Sequence, residues 1–290
     1  MQQTEYADDY SFAELMAVVA AREIRDGEKV FVGIGLPMIA GFLAIHAHAP
    51  RAVLFFEGGY IGGRPPCACT DVGDSMLGFQ APYVTSLWRT FSDLQRGYCD
   101  LAIIGSAQVD RFGNVNSTAI FDGGVYQDPK IRLPGSGGAN DMASSAGRVL
   151  IMARLERRRF VNQVNYVTSP GYIEGPGARE RYGLRGGPAA VISDKAIFRF
   201  DEYTREMYLS NVYPGVDVQY VRSEVGWDIR VTQDMKAVDP PTKEEVRFIR
   251  SYDPTDVILR RRGIFSDIDF SSWATLTRSN WQKFIPQSKP

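Results

Sequence analysis

Short apolar runs at residues 29–34, 52–56, 101–104 and 149–152 recur between stretches of helical character. Each run is rich in Val, Ile, Leu or Phe and reads as a strand buried on both faces. Residues 12–24 are rich in Ala, Leu and Met, and Ser11-Phe12-Ala13-Glu14 opens them as a capping box. Gly27 ends that helix, and Pro37 suits the first position of a second one running to about residue 47. Strands alternating with helices predict an α/β fold, with an open, mostly parallel sheet flanked by helices.

The pattern continues with a broken helix at 75–98 and a short strand at 130–133. A glycine-rich loop at 134–141 then leads into a short helix. After about residue 160 the rhythm changes. Residues 189–192 and 196–200 read as paired strands around Ser193-Asp194-Lys195, and 207–209 extend the sheet. A helix at 216–225, a strand at 227–231 and a helix at 242–251, after Pro240-Pro241, complete the reading. No linker or internal repeat divides the chain. Residues 263–290 carry two Trp residues with little periodicity and read as a docking arm or an irregular tail.

The 290 residues suffice for a substantial core, and the net charge of -1 offers no basic surplus for nucleic acid or an anionic membrane. The apolar runs are too short to span a bilayer. Met1-Gln2-Gln3-Thr4-Glu5 has neither the charge nor the apolar core of a signal peptide, so the expected location is the cytoplasm. Cys67-Ala68-Cys69 is too closely spaced for an ordinary disulfide and lacks the two-residue gap of redox or zinc motifs. Cys99 precedes an apolar strand and is expected to pack. His46 and His48 stand two apart on a predicted helix, a poor spacing for chelation, so no metal is expected.

One acid stands out. Glu57 ends the run 52–56 and is followed by four glycines in six residues, in Glu57-Gly58-Gly59-Tyr60-Ile61-Gly62-Gly63. A carboxylate at the end of a buried strand is partly desolvated, which raises its free energy and suits it to nucleophilic attack. Such an acid is also commonly a solvated loop residue. Two further glycine-bearing turns, Gly33-Ile34-Gly35-Leu36-Pro37 and Gly135-Ser136-Gly137-Gly138-Ala139, also follow predicted strands. Their backbone N–H groups can hold an anion or an oxyanion, and none matches a dinucleotide or P-loop fingerprint.

Seven stretches occur in a recognisable order. They are Gly33–Pro37, Phe56–Gly59, Gly105-Ser106-Ala107-Gln108-Val109-Asp110, Gly113-Asn114-Val115-Asn116-Ser117-Thr118, Gly135–Asn140, Arg157-Arg158-Arg159-Phe160 and Thr168-Ser169-Pro170-Gly171-Tyr172. Later stretches agree as well: Phe200-Asp201-Glu202, Glu206–Leu209 and Tyr213-Pro214-Gly215. From about residue 10 to residue 260 the chain resembles the β (B) subunit of glutaconate CoA-transferase, a class I CoA-transferase. The resemblance implies a catalytic glutamate after an early strand, and Glu57 alone stands there. It implies that Gly137, Gly138, Ala139 and Asn140 line the same site, with the N–H groups of the first three as candidates to bind the thioester oxygen. It places Gly35, Gly58 and Gln108 near the CoA or acyl group. Arg157, Arg158 and Arg159 are candidates for CoA phosphates, and equally for a solvated cluster or a subunit contact. Residues 1–262 would form the β-subunit domain, with 263–290 exceeding the family length. Gly58 also departs from the family, which carries Ser there.

The implied reaction is covalent. Glu57 attacks an acyl-CoA to give a mixed anhydride and CoA thiolate. The thiolate attacks the glutamyl carbonyl, giving glutamyl-CoA and the free acid, and a second acid reverses the steps. No cofactor beyond the CoA of the substrate is needed. The family works as a heteromer such as α2β2 or larger, so an α subunit is the implied partner. Two alternatives stand beside this reading. One is an acyl-CoA hydrolase, including the ring-cleaving CoA-thioester branch of the fold, which lacks a glutamate at this position. The other is a non-catalytic CoA-thioester-binding subunit. Tyr60, Phe79 and Tyr83 are candidates for lining an acyl pocket or for core packing.

Overall fold

The computed structural model describes residues 5–259. In chain order it contains α1 (Phe12–Arg22), β1 (Lys29–Val32), α2 (Leu36–Ala47), β2 (Val53–Phe55), β3 (Tyr60–Ile61), β4 (Tyr83–Val84), α3 (Leu87–Gln95) and β5 (Leu101–Gly105). Two small hairpins follow, β6 (Gln108–Val109) with β7 (Val115–Asn116) and β8 (Ala119–Ile120) with β9 (Ile131–Arg132). Then come α4 (Ala139–Ser145), β10 (Arg148–Met152), α5 (Ala178–Arg181), β11 (Pro188–Ile192) and β12 (Ala196–Phe200). β13 (Met207–Val212), α6 (Val218–Ser223), β14 (Arg230–Ala237) and α7 (Lys243–Tyr252) complete the described chain.

A ten-stranded sheet has the order β14-β13-β12-β11-β10-β5-β1-β2-β3-β4. The five central strands, β2-β1-β5-β10-β11, run parallel; antiparallel pairs extend both edges, and β14 closes one of them parallel to β13. Alternate side chains of these strands enter different cores. Val30, Val32, Leu101, Ile103, Leu150 and Met152 pack with α1, α2 and α7. Phe31, Ala102, Ile104, Val149 and Ile151 pack on the opposite face, with residues of α3, α4 and α6. Both faces of the central strands are therefore dry, which explains their near-continuous apolar runs. Strand order reverses between β1 and β5, a topological switch point at which open α/β sheets gather ligands. The β1 and β5 backbones stay close there: Gly33 N–H donates to Ile103 O at 3.0 Å, and a Cβ on Gly33 would lie 3.0 Å from the same oxygen.

The capping box at Ser11 and Glu14 forms, and Thr242 and Glu245 make a second at α7. Three sequence expectations change. Residues 75–98 are a short 3-10 turn at Ser75–Gly78, the strand β4 and then α3, rather than one broken helix. The strand expected at 227–231 is β14, which starts three residues later and runs to Ala237. β3 has no counterpart in the sequence reading. It arises because the glycines after Glu57 fold the chain back on β2. The boundary at 262–263 and the extension lie outside the described residues. Among the described residues, no helix is long and apolar enough to cross a membrane.

One buried cation ties the irregular 160–187 segment together and to α4. Arg179, 3% exposed, donates to the carbonyls of Pro170 (3.1 Å), Gly171 (2.7 Å), Ala143 (2.8 Å) and Arg185. Replacing it with Met strands these acceptors. We expect Arg179→Met to lower the unfolding free energy by about 3 kcal/mol or more, read as a lower urea midpoint.

Candidate active site

Glu57 is held by a turn that glycine alone permits. Phe56 N–H donates to Tyr60 O at 3.1 Å, and Gly59 N–H donates to Phe56 O at 3.0 Å, so Glu57 sits at the tip of a hairpin. Gly59 has φ 96°, and a Cβ there would lie 2.0 Å from Thr85 O. Thr85 N–H in turn donates to Gly59 O at 2.9 Å, which fastens the tip to the segment between β4 and α3. The parity of β2 aims the acid. Phe55 faces the α3 and α4 side and Phe56 the α1 and α2 side, so Glu57 returns to the α3 and α4 side.

There it meets the second glycine turn. A Cβ on Gly138 would lie 2.6 Å from Glu57 Oε1 and 2.4 Å from Phe91 Cζ, so a side chain is excluded unless one of them moves. Phe91, from α3, is braced by Phe31 at 5.4 Å between ring centroids. The Gly138 N–H lies beside the Glu57 carboxylate and favours its charged form. Ala139 N–H donates instead to Ser136 O at 3.0 Å. Gly137 N–H has no hydrogen-bond partner among the described residues. Its φ of 50° leaves open space where a Cβ would be. Of the three N–H groups expected to serve an oxyanion, Gly137 alone is uncommitted. Asn140 is exposed, and its Oδ1 accepts from Ser144 Oγ at 3.5 Å.

Burial pushes the Glu57 pKa above its ordinary value. The Gly138 N–H opposes the rise, and the charges of Asp71 and Asp141 add to it. Asp71 is brought near because Gly58 lacks a side chain. Gly58 N–H donates to Val72 O at 3.2 Å, and a Cβ on Gly58 would lie 2.8 Å from that oxygen. The folded state therefore holds a proton that the unfolded chain gives up near 4.5. Stability linked to this proton is present below 4.5 and is lost as pH rises through the folded value. We expect Glu57→Gln to raise Tm relative to the parent above that value. The difference should vanish at pH 4, and Asp71→Asn should narrow it, as thermal melts across pH 4–8 would show.

The structure brings Glu57, Gly58, Gly137 and Gly138 together. It places Gly35 and Gln108 further along the same sheet edge. Gly35, φ 85°, caps α2, and the next two residues, Leu36 and Pro37, line a cavity of about 420 Å³ with Gly105, Ser106 and Met152. Ser106 Oγ is buried without a hydrogen-bond partner among the described residues. Gln108 is 5% exposed. Its Nε2 donates to Arg158 O at 3.2 Å, and its Oε1 accepts from Asn116 at 2.9 Å, so its amide braces the β6–β7 hairpin. Its edge lines a second cavity of about 590 Å³. Arg157 donates to the carbonyls of Ser223 and Val225 at the end of α6, which separates it from Arg158 and Arg159. Tyr60 packs over Gly78, whereas Tyr83 is exposed on β4.

The three cysteines are free and buried, and burial lifts the Cys69 and Cys99 thiols to about 12. Among the described residues, no group of His, Cys, Asp and Glu is arranged to hold a metal ion. Phe91 and Asp71 carry no sequence signal. Phe91 lies within an ordinary amphipathic helix, and Asp71 reaches the site through a loop contact.

A family model described as Coenzyme A transferase matches residues 13–224. The chain is 40% identical over 244 residues to the B subunit of 3-oxoadipate CoA-transferase from Pseudomonas knackmussii, covering 83% of this chain and 93% of that one. It is 40% identical over 250 residues to the B subunit of glutaconate CoA-transferase from Acidaminococcus fermentans, covering 82% and 92%. The crystal structure of glutaconate coenzyme A-transferase from Acidaminococcus fermentans superposes with a TM-score of 0.80 at 36% identity. It covers 88% of this chain and 99% of that chain.

Proposed function

The chain belongs to the coenzyme A transferase family, and on that premise we propose that it is the B-type component of an enzyme moving CoA from an acyl-CoA to a free carboxylic acid through a glutamyl-CoA thioester on Glu57. The observation that carries this reading is the half-buried Glu57 carboxylate, raised in pKa and held against Gly138 beside the uncommitted Gly137 N–H.

In this reading Glu57 attacks the thioester carbonyl. The oxygen gains negative charge, which the Gly137 N–H stabilises, an effect worth about 2.7–4 kcal/mol for one such donor in acyl transfer. Collapse breaks the carbon–sulfur bond and gives an acyl-glutamyl anhydride and CoA thiolate. The thiolate attacks the glutamyl carbonyl, and the acyl group leaves as its carboxylate. The acceptor carboxylate attacks glutamyl-CoA and forms a second anhydride. The thiolate then takes the new acyl group and restores Glu57. No proton is gained or lost over the cycle. Desolvation of Glu57 favours its attack, because the negative charge leaves the buried carboxylate and departs with the CoA thiolate.

Both relatives are B subunits, which points to an A-type partner that completes the site. Both also take their names from dicarboxylic acids, so glutaconyl-CoA and 3-oxoadipyl-CoA are the first donors to assay. The test is co-expression with an A-type partner, followed by chromatography of donor, acceptor and free CoA. We expect new acyl-CoA to match the donor consumed. Accumulation of free CoA without a new thioester would replace transfer by hydrolysis.

A further inference from the structure

A groove lies between α2 and α7, on the face of the sheet opposite α3 and α4. It opens into a cavity of about 500 Å³ walled by Phe42, Ile45 and His46 of α2, by Phe248 and Tyr252 of α7, and by the Pro65-Pro66 segment after β3. The rings form one row. His46 stacks on Phe248 at 4.3 Å between centroids, Phe248 on Tyr252 at 5.3 Å, and Tyr252 meets Phe42 at 5.2 Å. Phe42 in turn stacks at 5.8 Å on Phe56, the residue before Glu57. The floor is dry: Phe42 and Tyr252 are buried, Ile45 and Phe248 are half-buried, and His46 is exposed at the rim. Arg64 also lines the cavity, and its guanidinium donates to Pro50 O at 3.2 Å. Burial lowers the Arg64 pKa, and no carboxylate among the described residues offsets that cost.

We propose that this groove seats residues 263–290 of the same chain, with aromatic side chains in the cavity and Asp267 or Asp269 beside Arg64. The assignment does not depend on the reaction catalysed. Reach favours this occupant. Asp253, 1% exposed, accepts from the N–H groups of Val257, Ile258 and Leu259 at 3.1, 3.0 and 3.0 Å, which fixes the point where the described chain ends. There Ile258 and Leu259 share a cavity wall with Leu36 and Pro37, at the start of α2. Ile45 is about two turns further along that helix, on the order of 12 Å, which about four extended residues span. Chain that follows α2 from Leu259 therefore arrives at the groove near residue 263. Composition points the same way. Phe265, Phe270, Trp273, Trp281 and Phe284 all fall in this stretch, whereas solvated tails are poor in large aromatic residues. Charge completes the match. In Asp267-Ile268-Asp269-Phe270, apolar groups for the cavity and carboxylates for Arg64 stand side by side.

The test uses the full chain in complex with its A-type partner, carrying the photoreactive substitution His46→benzoylphenylalanine. After irradiation and digestion, mass spectrometry should find the rim joined to a peptide within 263–290. Labelled and unlabelled chains mixed before assembly should give crosslinks within one isotope only, as a same-chain contact requires. The same probe at Tyr203, 85% exposed in the β12–β13 turn, should capture no peptide of this stretch. Capture of the A-type partner, of a second copy or of nothing overturns the assignment, as does equal capture at Tyr203. Hydrogen exchange gives a second readout. Ile45→Asp sets a charge in the cavity wall, and we expect it to speed exchange of the 263–290 amides about tenfold while β1 and β5 keep their parent rates. Unchanged exchange in that stretch overturns the assignment. If Ile45→Asp does not fold, the crosslink alone decides.

Discussion

Replacing Glu57 by Gln is expected to lower kcat of the assembled enzyme by about 10⁴-fold, with the chain still folded and still bound to its A-type partner. The amide keeps the size and position of the carboxylate but cannot form the anhydride. Every step of the cycle passes through that bond, so the loss falls on kcat rather than on KM. Glu57→Asp retains the chemistry and shortens the reach by one methylene. It should recover part of the activity, because the carboxylate still faces Gly138 but stands short of the thioester carbon. Steady-state kinetics with the best donor–acceptor pair, after confirming co-purification, provides the check. A Glu57→Gln enzyme with more than about a tenth of the parent kcat would remove the nucleophile from the account.

The second large effect is at Gly138. A methyl group there would lie 2.6 Å from Glu57 Oε1 and 2.4 Å from Phe91 Cζ. The ring is packed on the fully buried Phe31, whereas the carboxylate is the free end of a longer side chain. The carboxylate yields first, and a displacement of about 1 Å costs on the order of 10² in rate. We therefore expect Gly138→Ala to lower kcat by about 10²-fold with little loss of thermal stability. Phe91→Leu opens room beside the new methyl, so the double variant should regain part of that rate. Equal activity in Gly138→Ala and the parent would show that the contact does not position the acid.

The sheet was legible because its central strands are dry on both faces. Val30 to Val32, Leu101 to Ile104 and Val149 to Met152 have no polar residue to blur the pattern. The short edge strands were less legible. β3 and β4 are two residues each, and their pairing depends on glycines whose neighbours are distant in sequence, as Gly59 against Thr85 shows. The offset of β14 has a similar cause: all of its residues are exposed or half-buried, so periodicity marks its position poorly. At the site, Glu57 and the loop at 135–140 were both recognisable from residue type and order. Their meeting was not, because it rests on strand parity and on the packing of α3 beside α4. Gln108 shows the converse. Its sequence context pointed toward the ligand, yet both ends of its amide are engaged by Arg158 and Asn116.

Trapping the covalent intermediate would show directly whether Glu57 is the nucleophile. The complex would be incubated with acyl-CoA in the absence of acceptor, reduced with borohydride and digested for mass spectrometry. We expect the peptide containing Glu57 to become about 14 Da lighter, as the glutamyl thioester is reduced to an alcohol and CoA thiol is released. The shift should be absent in Glu57→Gln. A complex that exchanges CoA between acids while Glu57 keeps its parent mass, under conditions that reduce thioesters, would contradict it.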